Sequence, residues 1–327
     1  MAEITTTEIR EYISKIQGHK TSLREIREEF NIVQGSKSFD AVRNILFQLA
    51  EQRVVVALGQ GQYKVVTEVY PVKVYGRERR PPVEIYFPRD FDTWMEMPFA
   101  EDIILREGDL ILIAGRSNFG KTTLCMNWLA ENIDRNPVLM GNEYTTLDRE
   151  PSPRFLNRLD TMDWVQWVNG NGEDRFTLLP VFEDYAEHTV RNRLNIIDWI
   201  NIDASGLYNI SKVMENIKRA LGKGIGIIAL QKGENASAGR GGQFTKDFAD
   251  VEILLDEYGS HETMITLGKV KESKRRVSGR HYAFGISEGV KIIGLRELKR
   301  CKACYGKGWR GVKPCDECNQ TGWVDTQ

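Results

Sequence analysis

The sequence predicts an α/β protein built on a mainly parallel sheet, with a small helical unit before it and a short cysteine-rich tail after it. Three observations carry this expectation. Apolar runs at 110–114, 138–140, 194–200, 225–230, 251–255 and 263–267 alternate with helical stretches such as 122–132 and 209–221, the pattern of parallel strands joined by crossover helices. The segment GRSNFGKT, at 115–122, falls between an apolar strand and a helix. Four of the five cysteines stand at or beyond position 301.

Length and composition set the frame. At ~100–200 residues per domain, 327 residues imply two or three domains. Hydrophobic residues make up 41% and charged residues 28%, enough apolar side chains to exclude a wholly disordered chain. Lys and Arg number 45 against 46 Asp and Glu, a net charge of −1. That balance excludes a globally basic packaging protein and leaves room for a local basic site. The start, MAEITTTEIR, has no apolar stretch, and no apolar run approaches the ~20 residues of a bilayer crossing. A cytoplasmic protein with no membrane partner is expected.

Residues 1–67 show three helical patterns and a hairpin. Ile9, Tyr12, Ile13 and Ile16 share one face, and Thr21 or Ser22 can cap a second helix carrying Leu23, Ile26 and Phe30. A third, starting near Ser38, groups Phe39, Val42, Ile45, Leu46 and Leu49, and VVVALGQGQYKVV reads as two strands around a turn. This order resembles a winged helix-turn-helix domain. The resemblance implies that the third helix reads duplex DNA through Lys37, Ser38, Arg43, Asn44 and Gln48. A protein-docking domain with a solvated polar face is the other reading. Residues 68–84, with GRERRPP, are the expected linker. A strand leading into the main domain is expected before residue 100. The main domain runs over 85–298, with added strands at HYAFGI and VKIIGL.

GRSNFGKT fits G-x-x-x-x-G-K-[ST] in the required strand–loop–helix setting. Such a P-loop surrounds phosphates with backbone N–H groups at a helix N-terminus. Gly115, Arg116, Ser117, Asn118, Phe119, Gly120, Lys121, Thr122 and Thr123 are therefore the candidate nucleotide-binding residues. Lys121 would reach the β- and γ-phosphates, and the Thr122 hydroxyl would bind Mg²⁺. Asp198, ending the apolar run LNIID, is placed to help hold that metal; Asp203 is its rival, and a plain strand-end cap is the bland alternative. Glu143, at the end of PVLMGNE, can orient an attacking water or merely face solvent. Gln231 caps GIGIIALQ and can sense the γ-phosphate.

The ordered set EGDLILIAGRSNFGKTT, GNEYT, NIIDWI, ALQKG, DFADVEILLD and KVKESKRRVSG spans about 107–279. It resembles the RecA-like ATPases, in the branch of DnaB-type helicases, KaiC and RadA/Sms. The resemblance implies ATP as cofactor, with Glu143 as catalytic carboxylate, Asp198 as metal carboxylate and Gln231 as phosphate sensor. It also implies a basic finger donated to the neighbouring subunit's site, for which Lys271, Lys274 and Arg276 are candidates. The spacing departs from the family's Lys-x-Arg-x-Gly, and a solvated or DNA-facing basic hairpin is the alternative. A homo-oligomer, often a hexamer, with single-stranded DNA in its channel follows from the same likeness, with Lys232, Arg240 and Lys246 as candidate contacts. The expected activity is a DNA-stimulated ATPase motor of replication, recombination or repair, helicase-like. The alternative is a KaiC-like, ATP-switched adaptor or regulator whose winged helix recognises DNA or protein and which does not unwind DNA.

In the tail (299–327), Cys301, Cys304, Gly308 and Trp309 recur 14 positions later as Cys315, Cys318, Gly322 and Trp323. Two C-x-x-C pairs at this spacing predict one structural Zn²⁺; redox pairs or disulfides are the alternative. The first half resembles a DnaJ-type zinc module, and Gln320 departs from it where that pattern has Gly. Basic residues interleaved with the two tryptophans suit single-stranded nucleic acid or, equally, a small core. Cys125 reads as a buried side chain.

Overall fold

The computed structural model describes residues 4–76, 78–141, 143–146, 148–200, 210–232 and 242–326. They form two compact units, divided between Arg79 and Arg80.

In the first unit, α1 (Thr6–Lys15) is followed by β1 (Lys20–Ser22), α2 (Leu23–Glu29), α3 (Lys37–Glu51), β2 (Val55–Gly59) and β3 (Gln62–Val65). Thr5 and Ser22 start their helices with reciprocal capping boxes to Glu8 and Glu25, which satisfy helix N–H groups that have no partner inside the helix. Ile9, Ile13, Ile26, Leu46 and Leu49 fill the core. Strand β1, unforeseen in the sequence, pairs with β3 and makes the hairpin a three-stranded sheet of order β1-β3-β2. On α3, Lys37, Arg43, Asn44 and Gln48 are exposed and Ser38 is partly so. Phe47 on the same helix is 64% exposed.

The second unit bears out the α/β expectation. Its elements are β4 (Leu110–Gly115), α4 (Lys121–Glu131), β5 (Val138–Met140), α5 (Pro153–Thr161), β6 (Thr177–Leu179), α6 (Tyr185–His188), β7 (Leu194–Ile197), α7 (Ile210–Ala220), β8 (Ile225–Gln231), α8 (Gln243–Phe248) and β9 (Val251–Tyr258). There follow β10 (Glu262–Val270), β11 (His281–Ser287), β12 (Lys291–Arg300), β13 (Trp309–Arg310), β14 (Lys313–Pro314) and β15 (Trp323–Asp325). One ten-stranded sheet has the order β15-β12-β11-β10-β9-β4-β8-β7-β5-β6. Strands from β9 through β4, β8, β7 and β5 to β6 run parallel. Those from β9 out to β15 pair antiparallel, including the two strands foreseen at HYAFGI and VKIIGL.

Strand β4 is buried along its whole length. Its side chains divide between two cores: Ile111 and Ile113 face the α4 side with Trp128, and Leu110 and Leu112 face the side of Met214 and Ile217 on α7. This two-sided burial is why the parallel strands read as unbroken apolar runs. The strand expected before residue 100 does not form. Among the described residues of 68–100 the only strand pairing is an isolated Arg89–Glu96 bridge; a buried Asp90 orders that loop instead, accepting from Thr93 and Leu295. Among the described residues, no helix is long and apolar enough to cross a membrane.

Candidate nucleotide and metal sites

The parallel strands carry the predicted residues to one end of the sheet. Register aligns Gly115, closing β4, with Gln231 on β8. Ile197, just before Asp198, is level with Met140, two residues before position 142. Asn142 itself lies outside the described residues. Gly141 lets these ends converge, since a Cβ there would sit 2.1 Å from the Asp198 carbonyl oxygen. P-loop residues, Glu143, Trp199 and Gln231 line a cavity of about 690 Å³.

The P-loop turns into α4 through Gly120, at φ 80°, a conformation that favours glycine. A Cβ at this position would also meet Ile286 at 2.8 Å. Lys121 is 8% exposed. Its Nζ donates to the Gly115 and Arg116 carbonyls at 2.9 and 2.7 Å. Burial lowers its pKa, opposed by the nearby Asp198. Arg116 lies over the Phe119 ring, 4.8 Å from its centre. Asn118, at φ 69°, makes the loop's sharp turn. Gln231 Nε2 donates to Ser117 Oγ at 2.8 Å, tying the end of β8 to the loop. The Thr123 hydroxyl is occupied elsewhere, donating to the Gly289 carbonyl at 2.9 Å.

Asp198 is 2% exposed. Its Oδ2 accepts from the Tyr144 hydroxyl at 2.5 Å. Burial raises its pKa, against the Tyr144 and Thr122 hydroxyls, which favour the ionised form. Yet Oδ1 is buried without a hydrogen-bond partner. A buried carboxylate oxygen without a donor, beside a threonine hydroxyl, fits a hard cation such as Mg²⁺. Glu143 is exposed to the cavity, and Trp199 Nε1 donates to its carboxylate at 3.4 Å. The rival Asp203 lies outside the described residues.

The basic loop after β10 is far from this site in its own chain. Val270 pairs with Val251, which is level with Ile111, whereas Gly115 is level with Leu255. Four residues of strand, about 13 Å, separate the two edges of the sheet. Lys271 Nζ is on Asp250 Oδ1 at 2.9 Å. Arg275 holds Asp102 and Glu101, each at 2.7 Å. Lys274 and Arg276 are exposed and form no ion pair among the described residues. Lys232, expected as a DNA contact, is instead 7% exposed and paired with Asp256 at 2.5 and 2.6 Å. A long cation next to a glycine-rich loop looks solvent-facing in sequence, but the neighbouring β9 carboxylate captures it. Arg240 lies outside the described residues; Lys246 faces Glu252 at 3.7 Å.

In the tail, the four sulfurs lie within 4.8 Å of one another. The sequence repeat is a structural repeat. Gly308 N–H donates to Cys304 Sγ, and Gly322 N–H to Cys318 Sγ, both at 3.3 Å. Burial raises the Cys304 pKa, but the Gly308 N–H and the neighbouring thiols outweigh it and bring it down to about 7. Burial pushes the neighbouring Cys318 the other way, to about 12, so the fit to a closed tetrahedral Zn²⁺ site rests on the convergence of the four sulfurs. Gln320 occupies the place of Gly306, and both are left-handed, at φ 67° and 79°. The departure from the DnaJ-type pattern is thus carried as backbone strain of about 1–2 kcal/mol. Trp323 stacks on His281, with ring centres 3.8 Å apart, whereas Trp309 is 47% exposed. Strand β15 joins the edge of the main sheet through β12.

Two residues of this site escaped sequence reading. Arg154 and Arg158, on α5, line the P-loop cavity. Nothing in the local sequence marks them, because α5 has no motif and its approach depends on the turn after β5.

No family model matches the chain, and no curated protein matches it. Among solved structures it is similar to a RadB recombinase, at 17% identity over 57% of this chain and 91% of that one, with a TM-score of 0.43. It is also similar to the KaiC-like protein PH0186 from Pyrococcus horikoshii OT3, at 13% identity over 65% of this chain and 99% of that one, with a TM-score of 0.43.

Proposed function

We propose that the chain is a Mg²⁺-dependent, RecA-like ATPase acting on DNA as an oligomeric motor. The observation that carries the ATPase reading is the buried Asp198 carboxylate. One oxygen is fixed by Tyr144 and the other is left without a donor, beside the P-loop threonine and a buried Lys121. Thr122 and Asp198 would hold Mg²⁺, which supplies charge neutralisation at the phosphates when bound. Lys121, released from the loop carbonyls, offsets phosphate charge. Glu143 orients a water and accepts its proton. Gln231, bonded to Ser117, senses the terminal phosphate. Lys271, Lys274 and Arg276 serve a neighbouring copy.

The test is ATP hydrolysis by the intact chain with and without single-stranded DNA. Strong stimulation, abolished in Lys121→Ala and in Glu143→Gln, is expected. Unchanged hydrolysis in Glu143→Gln overturns the base assignment.

One observation favours the adaptor reading. Phe47 stands 64% exposed on α3 among the polar residues assigned to DNA, and an exposed phenylalanine suits a protein partner. Hydrolysis indifferent to DNA, with no unwinding, would select that reading.

A further inference from the structure

Helix α5 is tied directly to the proposed general base. Its cap residue, Ser152, accepts from Phe155 N and donates to the Glu143 carbonyl at 3.0 Å, while Ser152 N donates to the Tyr144 carbonyl at 2.8 Å. Phe155 is buried against Tyr144, with ring centres 4.9 Å apart. On the helix so fixed, Arg154 and Arg158 are four residues apart, the spacing that puts two side chains on one face. That face lines the cavity shared by the P-loop, Glu143 and Gln231.

Neither guanidinium forms an ion pair or hydrogen bond with any described residue. This contrasts with Arg106, Arg275 and Arg296 of the same unit, each held by carboxylates. Arg154 also sits in the first turn of α5, where no acidic residue accompanies it. A cation at the positive end of a helix is unfavourable unless an anion lies close by. Arg158 acts electrostatically on Tyr144, whose hydroxyl holds Asp198. The Arg158 side chain lines the same cavity as Thr122 and Glu143. Guanidinium groups match phosphate oxygens in a two-pronged geometry that lysine cannot reproduce.

We propose that Arg154 and Arg158 clamp the terminal phosphate of a nucleoside triphosphate from within the same subunit, so that the site distinguishes triphosphate from diphosphate. This rests on the ATPase reading above and adds to it a cation source that needs no neighbouring copy. The clamp arrives with α5 and the turn that carries Glu143, so triphosphate binding and base positioning are coupled through Ser152.

The experiment is calorimetric titration of the full chain, with Mg²⁺, using a non-hydrolysable ATP analogue and ADP. Arg154→Ala/Arg158→Ala should lose about tenfold or more in affinity for the triphosphate, the scale of a charge-assisted hydrogen bond. Its affinity for ADP should change by less than about threefold on the same scale. Arg158→Lys should recover only part of the loss. Equal losses for both nucleotides, or no loss for either, would overturn the clamp. Circular dichroism of the double variant checks that it is folded, and the exposed Arg154→Ala alone gives a second, milder reading of the same ratio. Wild-type protein that binds neither nucleotide overturns the ATPase reading itself, an outcome distinct from failure of the clamp.

Discussion

The Tyr144 hydroxyl donates to Asp198 Oδ2 at 2.5 Å, across the ends of the neighbouring parallel strands β5 and β7. Removing that donor in Tyr144→Phe takes a hydrogen bond from a buried carboxylate. A loss of about 1–3 kcal/mol in unfolding free energy is expected, read from urea denaturation.

Asp198→Asn should act in the opposite sense on the metal-free protein. Burial raises the Asp198 pKa above its ordinary 3.8, so the folded state holds the proton more tightly than the unfolded chain does. Its contribution is full below that ordinary value and is lost as pH rises through the raised one. Asparagine imitates the protonated form. Without Mg²⁺, the variant should therefore be more stable than wild type at neutral pH, the gap closing as pH falls through the raised value and gone below 3.8, while Mg²⁺-dependent hydrolysis disappears. A variant less stable than wild type at neutral pH would refute this account.

The Lys232–Asp256 pair predicts an asymmetry. The Lys232 side chain is 6% exposed and that of Asp256 35%. Asp256→Ala leaves a buried cation without its hydrogen-bonded partner, at a cost of about 2–3 kcal/mol, below the roughly 3–5 kcal/mol of fully enclosed pairs because Glu252 still acts on it. Lys232→Met leaves only a partly solvated carboxylate and should cost less. Comparing denaturation midpoints of the two variants checks this, and equal losses would mean that the pair is not effectively buried.

Elemental analysis should find zinc bound to the purified chain. Cys315→Ser, or chelation, should then lower the melting temperature of the whole second unit and not merely loosen the tail, because β15 belongs to the same sheet as β4. A loss of about 3 kcal/mol would shift a unit of this size by roughly 6–12 °C. An unchanged melt in the metal-free protein would show that the sulfur cluster does not support the sheet.

Subunit mixing addresses the basic loop. Lys121→Ala and the triple variant Lys271→Ala/Lys274→Ala/Arg276→Ala should each hydrolyse ATP poorly alone. Mixed, they should regain activity in a ratio-dependent manner, since some sites would combine an intact P-loop with an intact loop from the neighbour. No recovery at any ratio argues against a shared site.

The candidate nucleotide and metal sites were legible in the sequence wherever their geometry depends on neighbours in the chain. Gly115 to Thr122 and the four tail cysteines are local patterns whose geometry is set within a turn or two. Strand ends such as Asp198 and Gln231 were legible because the apolar run stops at a polar residue. What depends on register was hidden. Lys232 meets Asp256 only because β8 and β9 both lie beside β4. The Thr123 hydroxyl goes to Gly289 because the turn between β11 and β12 closes over the start of α4. Trp323 stacks on His281 because β15 extends an edge that the spacing of the cysteines does not announce. Arg154 and Arg158 depend on how Ser152 fastens α5 to the backbone of Glu143.

On the proposed shared site, the P-loop and the basic loop lie at opposite ends of the parallel strands, so an assembly has to bring the two ends together between copies. A two-fold dimer does this only through one patch that spans both strand ends and pairs each with the other. A head-to-tail contact brings the loop of one copy to the P-loop of the next without that requirement. Such contacts leave an unused site and an unused loop at the ends of any open chain of subunits. Closure into a ring removes both, so the energetic gain of the last contact is also the step that makes every site equivalent.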